Sequence, residues 1–108
     1  MDLRDLTIET AKPLEGTTFQ VTLPDSRTTT MTLEEVLPYE SASRRRTRAR
    51  AGARSFRAPF SLYILGDPAI VLPQGMYTLR SERETLENVF IVPIGRDDHA
   101  TEYEAVFA

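Results

Sequence analysis

The chain predicts a mainly β domain: about six antiparallel strands, forming a small barrel or a sandwich, with one short helix near the N-terminus. Three observations lead there. Apolar and polar residues alternate with period two in several runs, as in Phe19-Gln20-Val21-Thr22-Leu23. Turn signals built on Pro, Gly and Asp punctuate those runs. The connections are mostly short, which favours antiparallel neighbours because parallel pairing needs a long crossover. At 108 residues with 41% hydrophobic content, the chain makes one domain with enough apolar residues for a core.

The helical segment spans Leu6–Gly16. Thr7 can cap its start and Gly16 can stop it, while Pro13 removes an N–H and keeps it short. Phe19, Val21 and Leu23 then alternate as a half-buried strand, closed by the turn Leu23-Pro24-Asp25-Ser26. Thr28–Leu37 continues in β-formers. Glu34-Glu35 breaks its alternation, which predicts a bulge or the strand end.

Residues 39–58 have no strand or helix pattern and are predicted to be a flexible Arg-rich loop. Phe60–Leu65 follows, apolar on both faces apart from Ser61, and Gly66-Asp67-Pro68 closes it. Leu72-Pro73-Gln74-Gly75 is a Pro-initiated turn before Met76–Ser81, where Tyr77 and Leu79 share a face. Glu87–Pro93 holds a second run apolar on both faces, Val89-Phe90-Ile91-Val92. Gly95–Ala100 reads as a polar turn, and Thr101–Phe107 ends the chain with Tyr103, Ala105 and Phe107 alternating against Glu102 and Glu104. A strand apolar on both faces needs a second cover: the N-terminal segment, another sheet or another subunit. As a terminal strand, Thr101–Phe107 is expected to offer a free edge.

Charge is distributed unevenly. Arg44, Arg45, Arg46, Arg48, Arg50, Arg54 and Arg57 all lie between Ser41 and Ala58, with no Asp or Glu among them. The whole chain has 13 Lys+Arg against 16 Asp+Glu, so removing those seven arginines leaves 6 − 16 = −10. The seven are the candidate partner-binding residues. An acidic protein surface, including that of a second copy, fits them better than nucleic acid, because the −10 remainder repels phosphate. Nucleic-acid binding by the Arg44–Arg57 stretch is the alternative; it would be steeply salt-dependent, and only Phe56 lies nearby to stack a base.

Catalytic patterns are not apparent. With no Cys in the chain, disulfides and thiolate chemistry are excluded. His99 is the single histidine, and with Asp97 and Asp98 it forms a contiguous turn that does not converge on one ion. A small hydrolase would have to use His99, and Ser61 lacks a Gly-x-Ser-x-Gly setting. The carboxylate pairs Glu34-Glu35 and Glu102/Glu104 read as solvated. No phosphate-cradling glycine loop is present. The expectation is therefore no enzyme, no metal and no cofactor. Met1-Asp2-Leu3-Arg4-Asp5 lacks a following apolar stretch, and the longest apolar windows, Phe60–Leu65 and Val89–Ile94, fall well short of the ~20 residues that span a bilayer. A cytoplasmic location without membrane insertion is expected.

Several blocks carry a resemblance: Pro59-Phe60-Ser61-Leu62, Leu72-Pro73-Gln74-Gly75-Met76-Tyr77-Thr78-Leu79, Phe90-Ile91-Val92-Pro93-Ile94-Gly95-Arg96 and Tyr103-Glu104-Ala105-Val106-Phe107, with Leu6-Thr7-Ile8-Glu9 and Gly16-Thr17-Thr18-Phe19 before them. Together they resemble a family of small uncharacterised bacterial proteins of unknown function, associated with loci encoding phage-tail-collar-like proteins. The resemblance covers most of the chain except the arginine tract. It implies a role in tail-like or surface assembly and brings no catalytic residues. The expected function is thus a non-enzymatic protein-interaction or assembly module, acting on a protein partner or by self-association through a strand face or edge.

Overall fold

The computed structural model describes residues 3–38 and 59–107. The 39–58 stretch, and with it the loop expectation and all seven candidate arginines, lies outside the described residues.

Six antiparallel strands close into a barrel: β1 (Thr18–Thr22), β2 (Thr28–Pro38), β3 (Phe60–Gly66), β4 (Gly75–Arg80), β5 (Thr85–Arg96) and β6 (Thr101–Phe107). Their order around the barrel is β1-β2-β3-β6-β5-β4. Two three-stranded meanders are joined by residues 67–74, and β3–β6 and β4–β1 pairing seals them. The barrel alternative is therefore the one realised. Closure corrects the expectation for Thr101–Phe107: β6 lies between β3 and β5 and is not an edge. A terminal strand is free only when the sheet is open, and closure abolishes edges.

Bulges let the longer strands curve. Across β2–β3 the register slips between Leu33 and Glu35, so the Glu34-Glu35 break is a bulge within the strand. β5 carries two more. One sits opposite Tyr77–Leu79, where Asn88 adopts φ 57°, a left-handed conformation that Asn tolerates. The other, between Pro93 and Gly95, leaves Ile94 as the extra residue. This extends β5 through Gly95 and Arg96, which the sequence placed in a turn; the bulge absorbs the mismatch without ending the pairing.

The interior is filled. Phe19, Val21, Met31, Leu33, Val36, Phe60, Leu62, Ile64, Leu79, Leu86, Val89, Ile91, Tyr103 and Ala105 come from all six strands. The N-terminal segment adds Leu6, Ala11 and Leu14 to the same core. It is shorter in α-helix than its pattern suggested: α1 covers Ile8–Ala11 and Lys12–Leu14 tightens to a 3-10 turn around Pro13. Thr7 and Thr10 form a reciprocal cap. The Thr7 N–H donates to Thr10 Oγ1 at 2.9 Å, and the Thr10 N–H donates to Thr7 Oγ1 at 3.3 Å. Gly16 follows at φ 87°, where a side chain would be strained.

At the opposite end, two tight hairpins rest on aspartates. Asp25 Oδ1 accepts the Arg27 N–H at 3.1 Å and Oδ2 the Arg27 Nε at 2.6 Å; Asp97 Oδ1 accepts the His99 and Ala100 N–H groups at 2.8 and 2.9 Å. Hydrogen bonds to the carboxylates, from Arg27 in one turn and from His99 and then Ala100 in the other, hold both pKa values below the ordinary aspartate value. A lowered folded pKa adds stability that is complete above the unfolded value and is lost as pH falls through the folded one. The urea midpoint should therefore drop as pH falls below about 4, and an Asp25→Asn/Asp97→Asn variant should lose less over that interval. Parallel pH profiles for the two proteins would contradict this.

Candidate docking face

The barrel exterior divides into two unlike surfaces. On β1 and β2 the outward positions are Thr18, Gln20 and Thr22, in register with Thr32, Thr30 and Thr28. This face is wholly polar, and Thr18 Oγ1 and Thr32 Oγ1 share a hydrogen bond at 3.2 Å.

An apolar belt crosses the other strands. Leu37, Ser61 and Val106 form one cross-strand row over β2, β3 and β6, and Met76 and Phe90 form another over β4 and β5. The β5–β6 register ends at the Val92–Glu104 pair, with Phe90 two residues before Val92 and Val106 two residues after Glu104, so the two rows continue from the same end of that pairing. These side chains are strongly exposed: Met76 63%, Phe90 49%, Val106 45% and Leu37 38%, with Ile94 at the β5 bulge also exposed. Scattered apolar residues are ordinary on a surface, but here exposed apolar side chains from four strands, β2, β4, β5 and β6, lie in two rows, with Ser61, the β3 member of the first row, buried between Leu37 and Val106. Beside it, Tyr63 donates to Glu104 Oε2 at 3.0 Å across β3–β6, giving the belt a polar border.

The belt answers the question posed by the doubly apolar strands. The N-terminal segment joins the core at the barrel end, and Phe90 and Ile94 on the outer face of β5 are exposed. Sequence alone marked Phe90 and Val106 as apolar. It could not relate their two rows, because that needs the strand order and the β5–β6 register.

The remaining candidates are placed as follows. Arg44, Arg45, Arg46, Arg48, Arg50, Arg54 and Arg57 lie outside the described residues, but the flanks of their segment are defined: Pro38 and Phe60 are register partners across β2–β3. His99, Asp97 and Asp98 occupy the exposed β5–β6 hairpin, and among the described residues no three His, Cys, Asp or Glu side chains are grouped to hold a metal ion. Ser61 Oγ is buried and has no hydrogen-bond partner among the described residues. Glu102 and Glu104 point outward from β6 and are separated by function: Glu104 is tied to Tyr63. No helix among the described residues is long and apolar enough to cross a membrane.

With this geometry in hand, comparison places the chain in a family: it belongs to the group described as a domain of unknown function (DUF6916), which matches residues 6–107 and so includes both meanders. Neither the curated proteins nor the solved structures yield a match.

Proposed function

We propose that the domain is a non-enzymatic interaction and assembly module that docks a protein partner, or a second copy of itself, through the Leu37–Val106–Phe90–Met76 belt. The observation that carries this reading is an exposed apolar row on the outside of a barrel whose interior is already filled by its own side chains. Among the described residues the interior is filled by the core side chains and only the short Thr18–Phe19 stretch of β1 lacks a strand on one side, which favours recognition by the outer face. The mechanism is burial of that face, at roughly 25 cal/mol per Å² of apolar surface removed from water. Resemblance of the sequence blocks to bacterial proteins of phage-tail-collar-like loci supports placing the assembly in a tail-like or tail-collar-associated structure.

The test is the hydrodynamic mass of the purified protein, alone and with products of neighbouring genes, for wild type and for Phe90→Ser/Val106→Ser. Wild type should self-associate or retain a partner. The variant should lose the association by at least tenfold in Kd while keeping its melting temperature, since both side chains are exposed. A strictly monomeric wild type that retains no partner overturns the proposal.

The second reading, nucleic-acid binding through Arg44–Arg57, rests on seven arginines with no acidic residue between them. Its signature is DNA or RNA affinity that falls steeply with salt and vanishes when Arg44, Arg45, Arg46, Arg48 and Arg50 are changed to Ser. No binding at low salt removes it.

A further inference from the structure

We infer that the groove at the β1–β4 seam is a binding site for a small oxyanion that also carries hydroxyl groups, such as a sugar phosphate or a sugar acid. The seam is where the barrel closes least completely. Only two residue pairs cross it, Gln20–Arg80 and Val21–Leu79. β4 ends at Arg80, so the Thr18–Phe19 end of β1 has no strand beside it there. The gap is a surface groove of about 820 Å³, lined among others by Thr17, Thr18, Gln20, Arg80, Glu82 and Arg83. That volume lies within the usual range for small-molecule sites.

Its charges specify the ligand. Arg83 donates from Nη1 to Thr17 Oγ1 at 3.3 Å, and Thr17 is itself buried, so a neutral hydroxyl positions this guanidinium without cancelling its charge. Arg80 is paired through its backbone with Gln20 and Thr85, but its side chain makes no hydrogen bond or ion pair among the described residues. Two arginines on one groove, neither matched by a carboxylate, suit a phosphate or carboxylate that accepts from their forks. Glu15 also lines the groove but is already occupied: its Oε2 accepts the Val36 N–H at 2.7 Å and faces Lys12 Nζ at 3.5 Å. Glu82 remains as an acceptor, and with the Gln20 amide it calls for hydroxyl donors on the ligand, while Thr17 and Thr18 are held by Arg83 and Thr32. This site is on the polar side of the barrel, away from the belt, and does not depend on the docking proposal.

The test is a titration of isotope-labelled protein followed by amide chemical shifts, with glucose 6-phosphate, glucuronate, glucose and inorganic phosphate as separate probes. Expected are saturable shifts confined to Thr17–Gln20 and Arg80–Arg83 with glucose 6-phosphate or glucuronate. Glucose and inorganic phosphate should bind about tenfold more weakly or worse, which corresponds to about one charge-assisted hydrogen bond. Whichever of the two acids binds more tightly identifies the phosphate or the carboxylate as the recognised group. Arg80→Gln should weaken that binding about tenfold; because the Arg80 side chain has no structural partner among the described residues, its melting temperature should not move. Arg83→Gln should weaken binding by a similar factor. The inference fails if no probe shifts these amides, if inorganic phosphate binds as well as the sugar acids, or if Arg80→Gln binds like wild type.

Discussion

Replacing Tyr103 by Phe is expected to destabilise the barrel by about 1–3 kcal/mol, the cost of leaving a buried polar group unpaired. Replacing it by Ala should cost about 3–5 kcal/mol. The side chain is fully buried in β6, between Ile64 of β3 and Pro93 of β5 in register. Its hydroxyl accepts the buried Leu72 N–H at 2.9 Å and lies 3.4 Å from the Ile70 carbonyl. Those contacts hold residues 67–74, which must pass over the barrel end because β3 and β4 are not neighbours. Thr101 Oγ1 reinforces them at 3.1 Å from the Asp67 carbonyl and 3.2 Å from that of Ile70. Tyr77 adds a donor to the Pro73 carbonyl at 2.7 Å, and burial, with Tyr103 nearby, pushes its phenol pKa up so that the donor stays protonated. Gly66 is part of the same arrangement: a Cβ there would meet the Tyr103 ring at 3.3 Å. Urea unfolding measures the loss, and hydrogen exchange at the Leu72 amide locates it. A Tyr103→Phe protein with wild-type stability and unchanged exchange at Leu72 would mean that packing alone retains the loop.

The local rules read most of this fold. Thr7, Pro13 and Gly16 bounded the helical segment because capping and proline effects act within a turn. The strand faces of Phe19–Val21 and Tyr103–Phe107 followed from alternation alone. The Glu34-Glu35 bulge was visible because two consecutive polar residues separate two inward ones, Leu33 and Val36. The same signature stands at Glu87-Asn88 between Leu86 and Val89, where the apolar run Val89–Val92 that follows masks it. What the sequence could not supply was pairing between distant strands. Whether β6 is an edge depends on β3, forty residues away. The belt depends on register between β5 and β6, and the groove on how few pairs the β1–β4 seam can form. The arginine tract, the loudest signal in the sequence, lies outside the described residues.

Phe60→Ala should be among the most damaging single changes, at about 3–5 kcal/mol, out of a total that for a domain of this kind is about 5–15 kcal/mol. Phe60 is fully buried at the start of β3, and its ring stacks on Phe107 with centroids 5.1 Å apart and an interplanar angle of 12°. The two residues are register partners, and on its other side Phe60 is in register with Pro38 at the end of β2. This one residue therefore pairs with β2 and β6, and stacks on β6, at the point where residues 39–58 are inserted. The insertion itself is tolerated, because closure entropy rises only with the logarithm of loop length, about 0.6 kcal/mol per doubling. It follows that β2–β3 pairing relies on packing at its flanks, not on a tight turn, and removing the ring leaves the pair without either. The melting temperature should fall by roughly 15 °C or more, whereas Phe60→Leu, which keeps most of the volume, should lose much less. Amide exchange in Phe60→Ala should rise first at the Leu37–Pro38 and Ser61–Leu62 end of the hairpin. A uniform rise across all six strands would instead make Phe60 a general core residue with no special part in closing the hairpin.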